Sequence, residues 1–154
     1  MGQLPDYYDY KPSRNRGYLF TGRKPLFPFG WGLSYTTFRF DNLRVSPAAI
    51  GTGGETVASA DVTNTGSREG DEVAQLYVHQ RVASVTRPVK QLRGFQRIRL
   101  KPGEKRTLEF KVTPSDLQML NRDMHWVVEP GVFDILVGPN SEQTSNVALE
   151  VVEK

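Results

Sequence analysis

From residue 38 to the C-terminus, the sequence consists of short segments in which apolar and polar residues alternate, separated by turn signals. A period of two places successive side chains on opposite faces of an extended chain, so it predicts β-strands with one buried face. About seven such segments are present, each of ordinary strand length. No segment carries the period of a long helix. The pattern therefore predicts an all-β fold, an antiparallel β-sandwich.

The alternation also predicts which side chains face the core and where the strands end. Asp41-Asn42 interrupts the first segment and indicates a bulge. Lys101-Pro102-Gly103-Glu104 has the sequence of a type II turn, and Thr113–Leu117 that of a short helical turn. The residues predicted to face inward are Ala58, Ala60, Val62, Ala74, Leu76, Val78, Leu108, Phe110 and Val112.

Residues 1–37 differ from the rest of the chain in composition and in pattern. They hold nine of the 16 aromatic residues and four of the 10 prolines, with no helical or strand period. Proline and glycine interrupt any regular element that starts there. A free linker would not be so aromatic, so we interpret this segment as an extended N-terminal arm that lies on a surface. The predicted domains are the arm, 1–37, and the sandwich, 38–154.

Composition excludes several kinds of chemistry. The chain has 154 residues, no cysteine and only two histidines, which excludes a disulfide framework and a thiolate nucleophile and gives no basis for a metal site or a cofactor. No apolar run is long enough to cross a membrane. The N-terminus shows no apolar signal region, so the sequence leaves the compartment open. Acidic residues show no spacing that selects a catalytic pair, since the neighbours Asp71 and Glu72 face opposite sides of a strand.

Residues 81–106 carry nine Lys or Arg residues against one acidic residue, Glu104. Simple alternation predicts that Arg93, Arg97 and Arg99 share one outward face, opposite Leu92, Ile98 and Leu100. Such a face attracts an anionic polymer, or it is a solvated or ion-paired surface without a ligand. Only Phe95 is interleaved as an aromatic ring, so we do not expect nucleic acid as a partner.

The stretch PLFPFGWGLSYTTF, together with GDEVAQLYVHQ, SVTRPVKQLRGFQRIRLKPGE and NRDMHWVVEPGVFDILVGPNS, resembles the C-terminal part of glycoside hydrolase family 3 enzymes, which include β-glucosidases and β-xylosidases. The resemblance covers nearly the whole chain. It implies a fibronectin type III-like sandwich. Trp31 stands where tyrosine is frequent in the family, and Asp9 where asparagine is frequent.

The same resemblance implies that the chain is not an enzyme by itself. The family's nucleophile is an aspartate on an N-terminal barrel, and its acid/base residue commonly lies on an α/β sandwich domain. Neither domain matches any part of this chain, so no catalytic residue is assigned. The resemblance is compatible with a periplasmic or secreted parent, and the localisation of this chain is left unassigned.

Two functions follow as hypotheses. The first is an accessory domain that supports the stability of the parent enzyme and packs against its barrel and α/β sandwich domains. The second is a polymer-binding module for polysaccharide or lignin. It would bind the polymer either through aromatic rings of the arm or through the arginine face formed by Arg93, Arg97 and Arg99. The rings assigned to packing or binding are Tyr18, Phe20, Phe27, Phe29, Trp31 and Tyr35.

Overall fold

The computed structural model describes residues 8–12 and 25–153. Within them the chain forms ten strands and one short helix. In chain order these are β1 Phe38–Ser46, β2 Ala49–Gly51, β3 Thr56–Asn64, β4 Gly70–Gln80, β5 Gln91–Leu100, β6 Lys105–Val112, α1 Pro114–Leu117, β7 Met119–Leu120, β8 Trp126–Val127, β9 Gly131–Gly138 and β10 Ser145–Val152.

The strands form two main sheets. One has three strands in the order β1-β3-β6, and the other has five in the order β2-β10-β9-β4-β5, while β7 and β8 pair as a small hairpin. Every pairing among the described strands is antiparallel except that of β2 with β10. The prediction of an all-β sandwich is confirmed.

The core lies between the two main sheets, and the predicted inward faces of β3, β4 and β6 are confirmed. All nine residues predicted to face inward are buried members of one apolar cluster. The strands β9 and β10 add Phe133, Ile135, Val137 and Leu149, each at most 1% exposed. Aromatic and branched side chains in such contact supply the main stabilising free energy of the domain.

The local irregularities also follow the sequence. The β1–β3 register shifts between Asp41 and Arg44, and Asn42 has a positive φ of 53°, which confirms the predicted bulge. Gly103 has a φ of 74°, as the third position of a type II turn requires. Strands β2 and β7 were not predicted, because two or three residues are too few to show alternation.

Asn64 connects the end of β3 to three other segments and is fully buried. Its amide nitrogen donates to the carbonyl oxygens of Arg68, at 2.7 Å, and Leu100, at 2.9 Å. Its amide oxygen accepts from the Thr36 hydroxyl, at 2.7 Å, and from the Gly66 backbone N–H, at 3.0 Å. The side chain thus has four hydrogen bonds without water, and it ties the chain before β1 to the β3–β4 turn.

The outer face of the three-stranded sheet is polar and centres on Asp61. This carboxylate accepts from Asn42 at 2.9 Å and Thr107 at 2.7 Å, and it pairs with the Lys105 ammonium at 2.6 Å. These hydrogen bonds, that of Asn42 first, hold the pKa of Asp61 well below its usual range. The carboxylate is therefore charged wherever the protein is folded near neutral pH.

We expect the free energy of unfolding to fall on acidification, and to fall less in Asp61→Asn. A carboxylate with a lowered folded-state pKa adds stability above its unfolded pKa, here near 3.8, and loses it as the pH falls further. Urea unfolding of both proteins between about pH 5 and pH 2 measures the difference. Asp71 and Glu104, whose pKa values are also lowered, are present in both proteins and cancel in the comparison. If the free energy of unfolding fell equally steeply with pH in both proteins, the role assigned to Asp61 would be contradicted.

Candidate functional site

The described part of the arm folds back onto the outer face of the five-stranded sheet. Tyr77 lies in β4 between the core residues Leu76 and Val78, so its ring points away from the core, yet it is 0% exposed. The ring of Tyr8 stands edge-on to Tyr77 at 5.9 Å and stacks on Phe29 at 4.1 Å, with 20° between the planes. Tyr8, stacked in turn on Phe29, therefore covers the outer side of the buried Tyr77 ring.

Hydrogen bonds fix the arm at this place. The Gln75 amide nitrogen donates to the carbonyl oxygens of Gly30, at 3.2 Å, and Pro139, at 2.7 Å, while its oxygen accepts from the Tyr77 hydroxyl. Burial raises the pKa of Tyr77, and Tyr8 adds to the shift, so the hydroxyl stays protonated and remains a donor. Backbone bonds from Ser141 N–H to the Phe29 carbonyl and from Val89 N–H to the Tyr10 carbonyl, each 2.9 Å, hold the arm on both sides.

We expect Gly30→Ala to release the arm. Gly30 has a φ of 80°, and a Cβ atom there would lie 2.1 Å from the Gln75 amide oxygen. Both the strained backbone and the clash disfavour alanine, so the free energy of unfolding should fall by about 2 kcal/mol. Gly32→Ala is the matched control, because a Cβ atom at Gly32 would have no atom within 4 Å and its φ lies outside the left-handed region. Equal stability of the two variants in urea would contradict this account.

The remaining predicted rings are spread along the arm. Phe27 is 62% exposed, Trp31 41% and Tyr35 93%, and even the stacked Phe29 keeps 46% of its surface in solvent. Phe27 and Trp31 are 6.1 Å apart with 46° between their planes. Tyr18 and Phe20 lie outside the described residues. The structure thus brings Phe29 onto the sheet, leaves Phe27 and Tyr35 mostly in solvent and keeps Trp31 partly covered.

The three predicted arginines do not form one uniform face. The β4–β5 register shifts at this point, so that Leu76 opposes Gly94 whereas Tyr77 opposes Leu92, and Arg93 is the extra residue of the bulge. Leu92 consequently lies on the outer face with Tyr77, and its expected place beside Ile98 and Leu100 is wrong. Arg93 is half-buried.

Arg97 and Arg99 do point outward together. Both bind the carboxylate of Asp71 on β4, at 2.5 Å and 3.0 Å. The hydrogen bond from Arg97 is the main reason that the pKa of Asp71 is lowered. Part of the positive charge of this strand is therefore neutralised within the sheet.

Several residues of this surface are not among those predicted from the sequence. Tyr77 and Gln75 occupy outward positions of β4, where alternation indicates only solvent, although a large aromatic at an outward position is itself a signal of a covered sheet face. Phe95, 68% exposed, and Val73, 36% exposed, lie on the same outer face. At the loop end of the sandwich, Val82, Met124 and Trp126 are also exposed.

The described residues hold neither a cluster of metal-ligating side chains nor a membrane-spanning helix. No group of three or more His, Cys, Asp or Glu side chains in 8–12 and 25–153 is placed to hold a metal ion. In the same ranges, no helix has the length and apolar character needed to cross a membrane. What distinguishes this surface is a fixed set of partly exposed aromatic rings, which suits binding to another surface.

Comparison with known proteins agrees with this fold. Residues 72–141 match the family model of the fibronectin type III-like domain. The chain is 47% identical over 146 residues to a β-xylosidase of Formosa agariphila, covering 92% of this chain and 20% of that protein. It is 39% identical over 163 residues to a periplasmic β-glucosidase of Salmonella typhimurium, covering 99% of this chain and 21% of that protein.

A solved structure gives the same result. The chain superposes on a β-glucosidase from Erythrobacter marinus with a TM-score of 0.92 and 41% identity, over 97% of this chain and 20% of that one. The chain thus spans about a fifth of the length of these relatives. Residues 72–141 belong to the fibronectin type III-like domains, and the chain is similar over nearly its whole length to one part of glycoside hydrolase family 3 enzymes of the β-glucosidase and β-xylosidase type.

Proposed function

We propose that this chain is a non-catalytic accessory domain of a family 3 glycoside hydrolase, and that it supports the stability and domain packing of a β-glucosidase-like or β-xylosidase-like parent. Its partners are the catalytic barrel and the α/β sandwich domain of that parent. Residues 1–37 serve as the connecting arm and residues 38–154 as the sandwich. The observation that carries the proposal is the arm, which is fixed on the sheet while Phe27 and Tyr35 stay mostly exposed and Trp31 partly exposed.

The energetics favour this function. Exposed aromatic rings in a fixed arrangement are unfavourable in water, and covering one stabilises a structure by about 1.5–3 kcal/mol. Gln75 and the backbone bonds of Ser141 and Val89 fix the arm before any partner arrives, so little ordering entropy remains to be lost on packing. A surface built in this way suits permanent packing between domains of one polypeptide.

The test is a deletion in the parent polypeptide. We expect removal of residues 38–154 to lower its melting temperature and to reduce its active fraction after heating, with turnover per folded molecule less affected. The isolated 154-residue chain should show no hydrolysis of aryl β-glucosides or β-xylosides. Normal melting and turnover of the shortened parent would overturn the proposal.

A second candidate is binding to polysaccharide or lignin. The exposure of Phe27 and Trp31 favours it, since aromatic rings stack on sugar rings and on lignin. The 46° between their planes counts against a flat platform. A binding isotherm with insoluble cellulose, xylan and lignin, comparing the chain with Trp31→Ala, decides it. Binding lost in Trp31→Ala would support this function, and no binding would exclude it.

A further inference from the structure

The two outer faces of the sandwich differ in how much apolar surface they expose. On the three-stranded sheet, charged groups are paired with one another, as in Asp61 with Lys105, Glu55 with Lys111 and Arg39 with Asp41. Such a surface has its charges balanced locally and is stable in water. The five-stranded sheet also has paired charges on its outer face, as in Asp71 with Arg97, but it exposes the apolar side chains Val73 and Phe95 as well, and these need another explanation.

The apolar side chains of that face are continuous with the arm through Gln75. Phe95 on β5 lies directly opposite Gln75, and Val73 precedes Gln75 by two residues on β4, so the three share one face and are close neighbours. The Gln75 amide binds the carbonyl of Gly30, which lies between Phe29 and Trp31. We call the set Phe27, Phe29, Trp31, Val73 and Phe95 the aromatic patch.

The border of the aromatic patch is basic. Arg97 and Arg99 follow Phe95 along the outward side of β5, and their side chains are 72% and 68% exposed. They share the single carboxylate of Asp71, which leaves one positive charge in excess. A surface that fits this border is apolar at its centre and acidic at its edge.

We propose that the outer face of the five-stranded sheet, at the β4–β5 edge where the aromatic patch lies, is the surface that packs against the parent's catalytic domains, while the three-stranded face stays in solvent. This inference rests on the proposed function. The occupant is a part of the same polypeptide, because the chain corresponds to about a fifth of its relatives and the remaining four fifths are connected to it in each of them. Phe95 is the central anchor on the sandwich side, as a large ring that its own domain leaves 68% exposed.

The test places the same new side chain on the two opposite faces. Phe95→Arg changes the five-stranded face, and Glu109→Arg changes an exposed position on β6 in the three-stranded face. In the full-length parent, we expect Phe95→Arg to speed proteolytic release of the domain at least about tenfold, as loss of an interface anchor does. Glu109→Arg should leave the rate unchanged. In the isolated chain, both variants should melt like the unmodified protein.

The outcomes separate the two proposals. If the parent is destabilised by deletion of residues 38–154 but not by Phe95→Arg, the accessory function stands and the assignment of this face is overturned. If Glu109→Arg has the larger effect, the packing face is the other sheet. If Phe95→Arg destabilises the isolated chain equally, Phe95 is structural and the assignment fails. If deletion of residues 38–154 leaves the stability of the parent unchanged, the proposed function is contradicted, and the inference that rests on it is contradicted as well.

Discussion

Replacing Asn64 with leucine is expected to lower the free energy of unfolding by about 3–5 kcal/mol, because a buried amide with four hydrogen bonds is lost. Leucine has the same branching and the same number of side-chain heavy atoms as asparagine, so most of the effect is expected from polar groups left without partners. The carbonyl oxygens of Arg68 and Leu100 and the N–H of Gly66 would all lose the partner that Asn64 gives them. In thermal unfolding this corresponds to a loss of about 10 °C in Tm.

Two further variants show whether hydrogen bonding is the cause. Asn64→Asp keeps the oxygen that accepts from Thr36 and Gly66 but cannot donate to the two carbonyl oxygens, so it should also be strongly destabilised. Thr65→Ala, at the exposed neighbouring position, removes a hydroxyl that bonds to Thr37, and it should cost less than about 1 kcal/mol. A loss of under about 1 kcal/mol in Asn64→Leu would show that water replaces the amide.

Tyr77→Ala is expected to cost about 3 kcal/mol and to detach the arm, because the ring is fully buried and the arm is what covers its outer side. Without the ring, Tyr8 loses its edge-on partner and Gln75 loses the donor to its amide oxygen. Urea unfolding measures the stability. Hydrogen exchange of the Ser141 and Val89 amides measures detachment, since both donate to arm carbonyls.

Tyr77→Phe is the matched control for this variant. It keeps the ring and removes only the hydroxyl bond to Gln75, so the loss should be about 1 kcal/mol, with the arm still in place. The exchange rates of Ser141 and Val89 should then stay close to those of the unmodified protein. Unchanged hydrogen exchange of these two amides in Tyr77→Ala would mean that the arm is held without the ring, which would contradict the role assigned to Tyr77.

The strands and the core residues could be predicted from the sequence, because the alternation of apolar and polar residues depends only on neighbouring positions. The faces of β3, β4 and β6, the bulge near Asn42 and the turn at Gly103 all depend on a few neighbouring residues. The assignment of Leu92 failed because the bulge at Arg93 inverts the alternation, and pairing with β4 determines that bulge. The sequence of one strand does not show the register in which that strand pairs with its neighbour.

The candidate site depends on contacts between distant residues, and so less of it was predictable. The aromatic arm was recognised from composition, but its position is set by the bond between Gln75 and Gly30, which are 45 residues apart. Likewise, the four partners of Asn64 include Leu100, 36 residues away. Such pairs follow only from the fold, since residue type alone does not say which carbonyl an amide will reach.

The bulges described above also bear on how the protein behaves at high concentration. An unpaired strand at the edge of a sheet invites a strand of a second molecule to add to it, which begins aggregation. Here β1 and β5 are edge strands with a bulge each, β6 carries Lys105, Arg106 and Lys111, and β2 has only three residues. Among the described strands, a second copy that approaches either sheet finds no long, regular and uncharged edge to extend. The irregularities that interrupt the strands therefore disfavour edge-to-edge pairing between copies of the sandwich.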